Sequence, residues 1–187
     1  MSNRLVIGIS GASGAVYAIR LLEVLKQHTS LETHLMISQA AEQTIEIETD
    51  YSVKQVSDMA SVRHSISDLA APVSSGSFLT KGMVVIPCSM KSLSGIVNCY
   101  NDNLLVRAAD VTLKENRKLI LVPRETPLHK AHLELMLRFV DNGGILIPPF
   151  PAFYHSPETI IDLVDQTVGK VLDQLQIEHS LFKRWQS

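Results

Sequence analysis

Five short runs of this chain are apolar at nearly every interior position: Arg4–Ser10, Thr33–Ser38, Gly82–Cys88, Leu119–Arg124 and Gly144–Pro148. Strict alternation would mark strands with one wet face. Continuous runs of this length mark strands covered on both faces, the habit of parallel sheets. A weaker strand is expected at Ser61–His64. The gaps hold amphipathic stretches. Ala15–Gln27 puts Val16, Ile19 and Leu22, with Tyr17, Leu21 and Leu25, on one broad stripe, while Arg20, Glu23 and Lys26 face away. Asn103–Glu115 and Lys130–Val140 repeat the pattern, and Pro157–Leu175 opens on Pro and Glu, a helix start. Strands alternating with helices, joined by right-handed crossovers, give a parallel sheet with helices on both faces. The expected fold class is therefore α/β, a single Rossmann-like or flavodoxin-like domain over residues 1–187.

Composition narrows the partners. The 17 Lys and Arg against 19 Asp and Glu leave a net charge of −2, without the basic excess of a nucleic-acid binder. No apolar run approaches the ~20 residues that span a bilayer. The opening MSNRLVIGIS runs directly into a strand and a glycine turn, so no signal peptide is expected. Cys88 and Cys99 are too few for a disulfide framework or a four-cysteine metal site. A cytoplasmic protein acting on a small molecule is expected.

In open parallel sheets, ligands sit beyond the carboxyl ends of the strands. That rule singles out Ser10–Gly14, Ser38, Cys88–Ser92, Arg124–Glu125 and the PPFPAFYH segment. The first turn, Gly8-Ile-Ser-Gly11-Ala12-Ser13-Gly14, allows close backbone approach, and the helix after it offers N–H groups and a positive dipole end to an anion. Its G-x-x-G-x-x-G spacing is not the dinucleotide fingerprint, no G-K-[ST] follows, and the second run ends in Ser38 rather than an acid. The pattern favours a mononucleotide phosphate, with an empty glycine turn as the alternative. Ser89, Met90, Lys91 and Ser92 open a further helix and offer backbone and hydroxyl donors, while Cys88 reads as a buried small hydrophobe rather than a nucleophile. Arg124 beside Glu125 suits anion binding with proton transfer; the alternative is a surface ion pair worth at most about 1 kcal/mol. His129 and His132 stand i, i+3 without a third ligand and read as an exposed pair. Taken alone, Lys114 and Lys170 read as solvated lysines and Tyr154 as a packed tyrosine. The Ser/Gly-rich segment Ser74–Gly82 is a surface turn or a loop folding over a ligand.

These residues together resemble the UbiX-type flavin prenyltransferases, within the wider class of homo-oligomeric flavin-containing cysteine decarboxylases. The resemblance runs over essentially the whole chain. It is carried by Gly11-Ala-Ser13-Gly14-Ala15, by Ser38 with Glu48-Thr-Asp50, by Ser74-Ser-Gly76-Ser77 and Pro87-Cys88-Ser89, by Asn103 to Val111 and Leu113-Lys114-Glu115, and by Pro123-Arg124-Glu125 and Phe153-Tyr154-His155. It implies a metal-independent enzyme that moves a dimethylallyl group from dimethylallyl phosphate to N5 and then C6 of reduced FMN. The product, prenylated FMN, serves UbiD-type decarboxylases, usually in ubiquinone biosynthesis. It implies a dodecamer with sites at subunit junctions, with no nucleic acid and no membrane span. By position, Gly11, Ala12, Ser13, Ser38, Ser89, Met90, Lys91, Ser92 and Arg124 would bind FMN. Lys114, Arg124, Tyr154 and Lys170 would hold the donor phosphate, and Glu48, Glu125 and Ser13 would act in catalysis. The family often has Arg where this chain has Lys170, which keeps the charge and loses the bidentate fork. Leu69 falls where some relatives carry an aromatic residue.

Ionising an allylic phosphate leaves negative charge on phosphate and positive charge on the prenyl fragment. Preorganised Lys, Arg and Tyr donors stabilise the first, an electron-rich ring the second, and water must be kept out. With room for one domain only, neighbouring subunits would complete such a site. Two other readings share the fold: a peptidyl-cysteine or pantothenoylcysteine decarboxylase, whose Pro-Ala-Ser-Ala-Asn-type motif is replaced here by Pro87-Cys-Ser-Met, and a non-catalytic FMN carrier, which has no use for Lys114 or Tyr154. Trp185 packs on its own core or a neighbour's; the sequence leaves both open.

Overall fold

A computed structural model of the chain describes residues 3–28 and 30–185. The strands are β1 (Arg4–Ile9), β2 (Glu32–Ile37), β3 (Val62–His64), β4 (Gly82–Cys88), β5 (Lys118–Pro123) and β6 (Ile145–Leu146). The helices are α1 (Ala15–Lys26), α2 (Gln39–Glu48), α3 (Val53–Ser57), α4 (Met90–Val97), α5 (Leu104–Lys114), α6 (Lys130–Asp141) and α7 (Ile160–Leu175). All the strand pairs are parallel, and the order is β3-β2-β1-β4-β5-β6. This is the Rossmann order, which decides between the two expected topologies. The direction of winding reverses between β1 and β4, so a crevice opens above their carboxyl ends.

The continuous apolar runs are explained by two cores. Leu5, Ile7, Ile9, Val84, Ile86, Ile120 and Val122 point to one face, under α1 and α7. Val6, Met83, Val85, Leu119 and Leu121 point to the other, under α4, α5 and α6. Successive side chains of a strand face opposite ways, so a strand buried on both faces has no polar position to show.

Four expectations need correction. The last strand pairs only over Ile145–Leu146, because Pro148 and Pro149 carry no N–H to extend the ladder. α7 begins at Ile160, not Pro157; Thr159 caps it in a reciprocal box with Asp162. α2 and α3 were not foreseen. α2 buries only Ala41 and Ile45, too thin a stripe to read. The segment Ser74–Gly82, a surface turn or a ligand loop by sequence, does not fold over the crevice of its own protomer. It leads into the amino end of β4, and Arg117 donates to the carbonyls of Phe78 at 2.8 Å and Gly76 at 2.5 Å, while Arg107 donates to that of Ser74 at 3.3 Å. It is stapled to α5 at the opposite end of the sheet.

Candidate active site

Short polar bonds lace the carboxyl ends of the central strands together. Ser10 N–H and hydroxyl both donate to the Pro87 carbonyl, at 3.2 and 3.1 Å, and Ser10 Oγ accepts from Ser89 N–H at 2.8 Å. Ser38 N–H donates to Ile9, and Arg124 N–H to Cys88. Ser10, Ser38, Ser89 and Arg124 therefore start their loops from one rigid row. Above it lies a cleft of about 810 Å³, lined by Gly11, Ser38, Gln39, Ala40, Ser89, Lys91, Ser92 and, across from them, Asn98, Tyr100 and Asn103. Gly11 is required here: a Cβ on it would come within 2.4 Å of the Ala40 Cβ.

Three helices begin around this row, and they are not equivalent. Ser38 caps α2 by accepting from Ala41 N–H, and Ser89 caps α4 by accepting from Ser92 N–H. Each cap satisfies one amide, so the first amides of both helices, those of Gln39, Ala40, Met90 and Lys91, have no intrahelical acceptor and face an anion-friendly dipole end. The Met90 side chain itself packs into the second core. α1 differs. Gly14 adopts φ 107° to turn the chain, and Glu48, at the end of α2, accepts from Gly14 N–H at 2.7 Å and Ala15 N–H at 3.1 Å. The expected free anion site at the first turn thus holds a carboxylate of the chain itself, whereas the α2 and α4 ends keep their first amides without such a partner. Burial raises the Glu48 pKa, but the Ser13 hydroxyl, the Gly14 and Ala15 amides and the Arg124 charge outweigh it and hold the carboxyl below its ordinary value.

Arg124 also opposes the burial that raises the Tyr17 phenol, so Ser13, Tyr17, Glu48 and Arg124 form one electrostatic group beside the cleft. Glu125 follows on an exposed loop, its carboxylate accepting from Thr126 N–H at 3.0 Å. Cys88 is fully buried and its thiol is pushed up to about 12 by desolvation, the state of a core residue and not of a nucleophile.

The remaining positions lie elsewhere in the protomer. Lys114 ends α5 just ahead of β5, whereas Arg124 follows the far end of β5; six strand residues separate the two ends by about 20 Å. Lys114 pairs with Glu115 above Gly76. Lys170 lies one turn before Gln174, whose carbonyl binds Lys118 at that same amino edge. Its ammonium sits 5.6 Å from the Phe182 ring centroid. Tyr154 meets Trp185 edge-on at 5.6 Å, and Trp185 stays 69% exposed, so it does not pack on the core of its own protomer. His129 and His132 stack at 3.6 Å, and among the described residues no group of three His, Cys, Asp or Glu is placed to hold a metal ion. Sequence reasoning missed the cleft's outer wall, Asn98, Tyr100 and Asn103. Asn103 was legible as the N-cap it proves to be; nothing local marked Tyr100.

A Rossmann-order sheet with a polar, anion-binding crevice at its switch point belongs with the nucleotide-binding α/β proteins, and the model of the family described as Flavoprotein matches residues 1–184. Within it, the chain belongs to the UbiX flavin prenyltransferases. It is 56% identical over 185 residues to the flavin prenyltransferase UbiX of Escherichia coli K12, covering 98% of each chain. Among solved structures, a dodecameric FMN-dependent UbiX-like decarboxylase from Escherichia coli O157:H7 is 51% identical, with a TM-score of 0.95 over 98% of this chain and 99% of that one. AnUbiX (PadA1), in complex with FMN and dimethylallyl pyrophosphate, is 47% identical at the same TM-score, over 98% and 97%.

Proposed function

We propose that this chain is a flavin prenyltransferase that moves a dimethylallyl group from dimethylallyl phosphate onto N5 and then C6 of reduced FMN. The carrying observation is the pairing at one crevice of two amide-rich helix ends with a separate charged group. The Ser38 and Ser89 ends, with Lys91 and Ser92, suit the FMN phosphate, and the 810 Å³ cleft has the size of a cofactor site. Gly11, Ala12 and Ser13 run along its edge. The reduced flavin supplies the electron-rich ring that accepts the prenyl group. The chain binds, orients and handles protons. Arg124 offers its guanidinium to phosphate oxygens, Ser13 and Glu48 hold a fixed negative charge beside the developing allyl cation, and Glu125 takes the N5 proton and passes it toward the departing phosphate.

Lys114, Tyr154 and Lys170 complete the donor-phosphate site from neighbouring subunits. The separation of Lys114 and Lys170 from Arg124 within one protomer supports this, as does the dodecameric relative. The product goes to a UbiD-type decarboxylase. Two free thiols, with Cys99 exposed, suit a reducing cytoplasm, and among the described residues no helix is long and apolar enough to cross a membrane. The test is phosphate release from dimethylallyl phosphate under anaerobic conditions. Release should require reduced FMN and stop with oxidised FMN; release independent of flavin would contradict the assignment.

A further inference from the structure

We propose that the C-terminal segment 176–185 is a clasp that positions the donor-phosphate residues, with Asp173 as its anchor; this rests on the reading of Tyr154 and Lys170 given above. Asp173, in the last turns of α7, accepts from both terminal guanidinium nitrogens of Arg184, at 3.1 and 2.7 Å. It also binds His179 Nε2 at 3.1 Å. His179 Nδ1 accepts from Leu181 N–H at 3.3 Å, which assigns the ring proton to Nε2 and makes it the donor to Asp173. The His179 side chain is only 1% exposed. These bonds fold the segment back along α7.

What the fold-back delivers is two aromatic rings. Phe182 lies against Gly169, where a Cβ would come within 2.4 Å of its ring and 2.6 Å of His179. From there it sits beneath the Lys170 ammonium. Trp185 stands edge-on to Tyr154, which belongs to the segment between β6 and α7 and has no ladder or helix to hold it. A lysine has a flexible stem and no planar fork, so its orientation must come from outside; a ring face under the ammonium provides it. Asp173 and Phe182 are positioning residues: they set where the phosphate donors stand.

The experiment measures KM for dimethylallyl phosphate, kcat and FMN affinity in the assembled enzyme for Asp173→Asn, Arg184→Lys and Tyr154→Phe. In Asp173→Asn, KM should rise about tenfold while kcat and FMN affinity stay within about twofold, the signature of lost substrate positioning. Arg184→Lys keeps the charge and loses the fork, so its KM should rise about threefold; it decides the matter if Asp173→Asn does not fold. Unchanged KM in both folded variants, or a parallel loss of FMN affinity, overturns the clasp. Tyr154→Phe separates the two claims. If it raises KM and the anchor variants do not, the clasp alone fails; if it leaves KM unmoved, the assignment of Tyr154 fails and the clasp with it.

Discussion

Glu48 is exposed, yet it is anchored by the Ser13 hydroxyl and two helix amides. With its folded pKa below 4.5, it adds stability that is fully present above that value and is lost as pH falls through the lower, folded one. Urea unfolding between pH 3 and 6 should therefore show an acid loss of stability below about 4.5 that is smaller in Glu48→Gln. An equal loss in both proteins would mean that the carboxylate is not held as described. At Glu125, a glutamine keeps the shape and removes the proton acceptor. Glu125→Gln should leave FMN affinity unchanged and slow transfer about a hundredfold; normal turnover would remove Glu125 from the chemistry. The candidate residues on strand ends were legible from the rule that ligands sit there. The capping of α1 by Glu48 was not, because the two ends meet through α2, which the pattern did not reveal.

At the scale of elements, the α4 N-terminus joins stability and binding. Ser89→Ala should cost about 1 kcal/mol of stability from the lost cap and weaken FMN binding as well; full FMN affinity in that variant would move the phosphate elsewhere. A second junction, between β2 and β3, responds to pH. His34 Nδ1 and His64 Nε2 lie 2.9 Å apart with stacked rings, edged by Phe78 and flanked by Glu32, Arg4 and Asp68. Burial, above all, lowers both pKa values from 6.5. A depressed histidine stays neutral when folded while the unfolded chain protonates, so stability falls as pH drops below about 6.5. The midpoint of urea unfolding should decline between pH 7.5 and 5.5, and less so in a His34→Leu, His64→Leu double variant; equal declines would contradict this. The central strands and α1, α5 and α6 were legible because both periods were strong. β6 was legible as a run but pairs over only two residues, whereas α2, with its thin apolar stripe, and α3, only five residues long, were not read.

At the scale of the molecule, the proposed function needs residues from more than one protomer, and one protomer carries exposed apolar surface. Leu133, Leu137 and Val140 form an exposed apolar stripe on α6, and Phe150, Phe153 and Ile160 are more than half exposed. Exposed apolar patches of this kind commonly mark association surfaces. If Lys114 serves the Arg124 of another subunit, inactive Lys114→Ala and Arg124→Ala proteins should regain activity when dissociated and reassembled together, because some junctions then hold neither substitution. No recovery in verified mixed oligomers would mean that each chain builds its own donor site. Nothing in the apolar periodicity foretold this sharing. The proposal of sharing rests on topology, which puts the residues before and after β5 at opposite ends of the sheet.

The central claim is that the crevice joins a prenyl group to flavin, and the mass of the flavin tests it most directly. The assembled protein is incubated anaerobically with reduced FMN and dimethylallyl phosphate, and the extracted flavin is weighed by mass spectrometry. The account predicts FMN heavier by one five-carbon prenyl unit. Unmodified FMN, under verified reducing conditions and with the flavin bound, would contradict it.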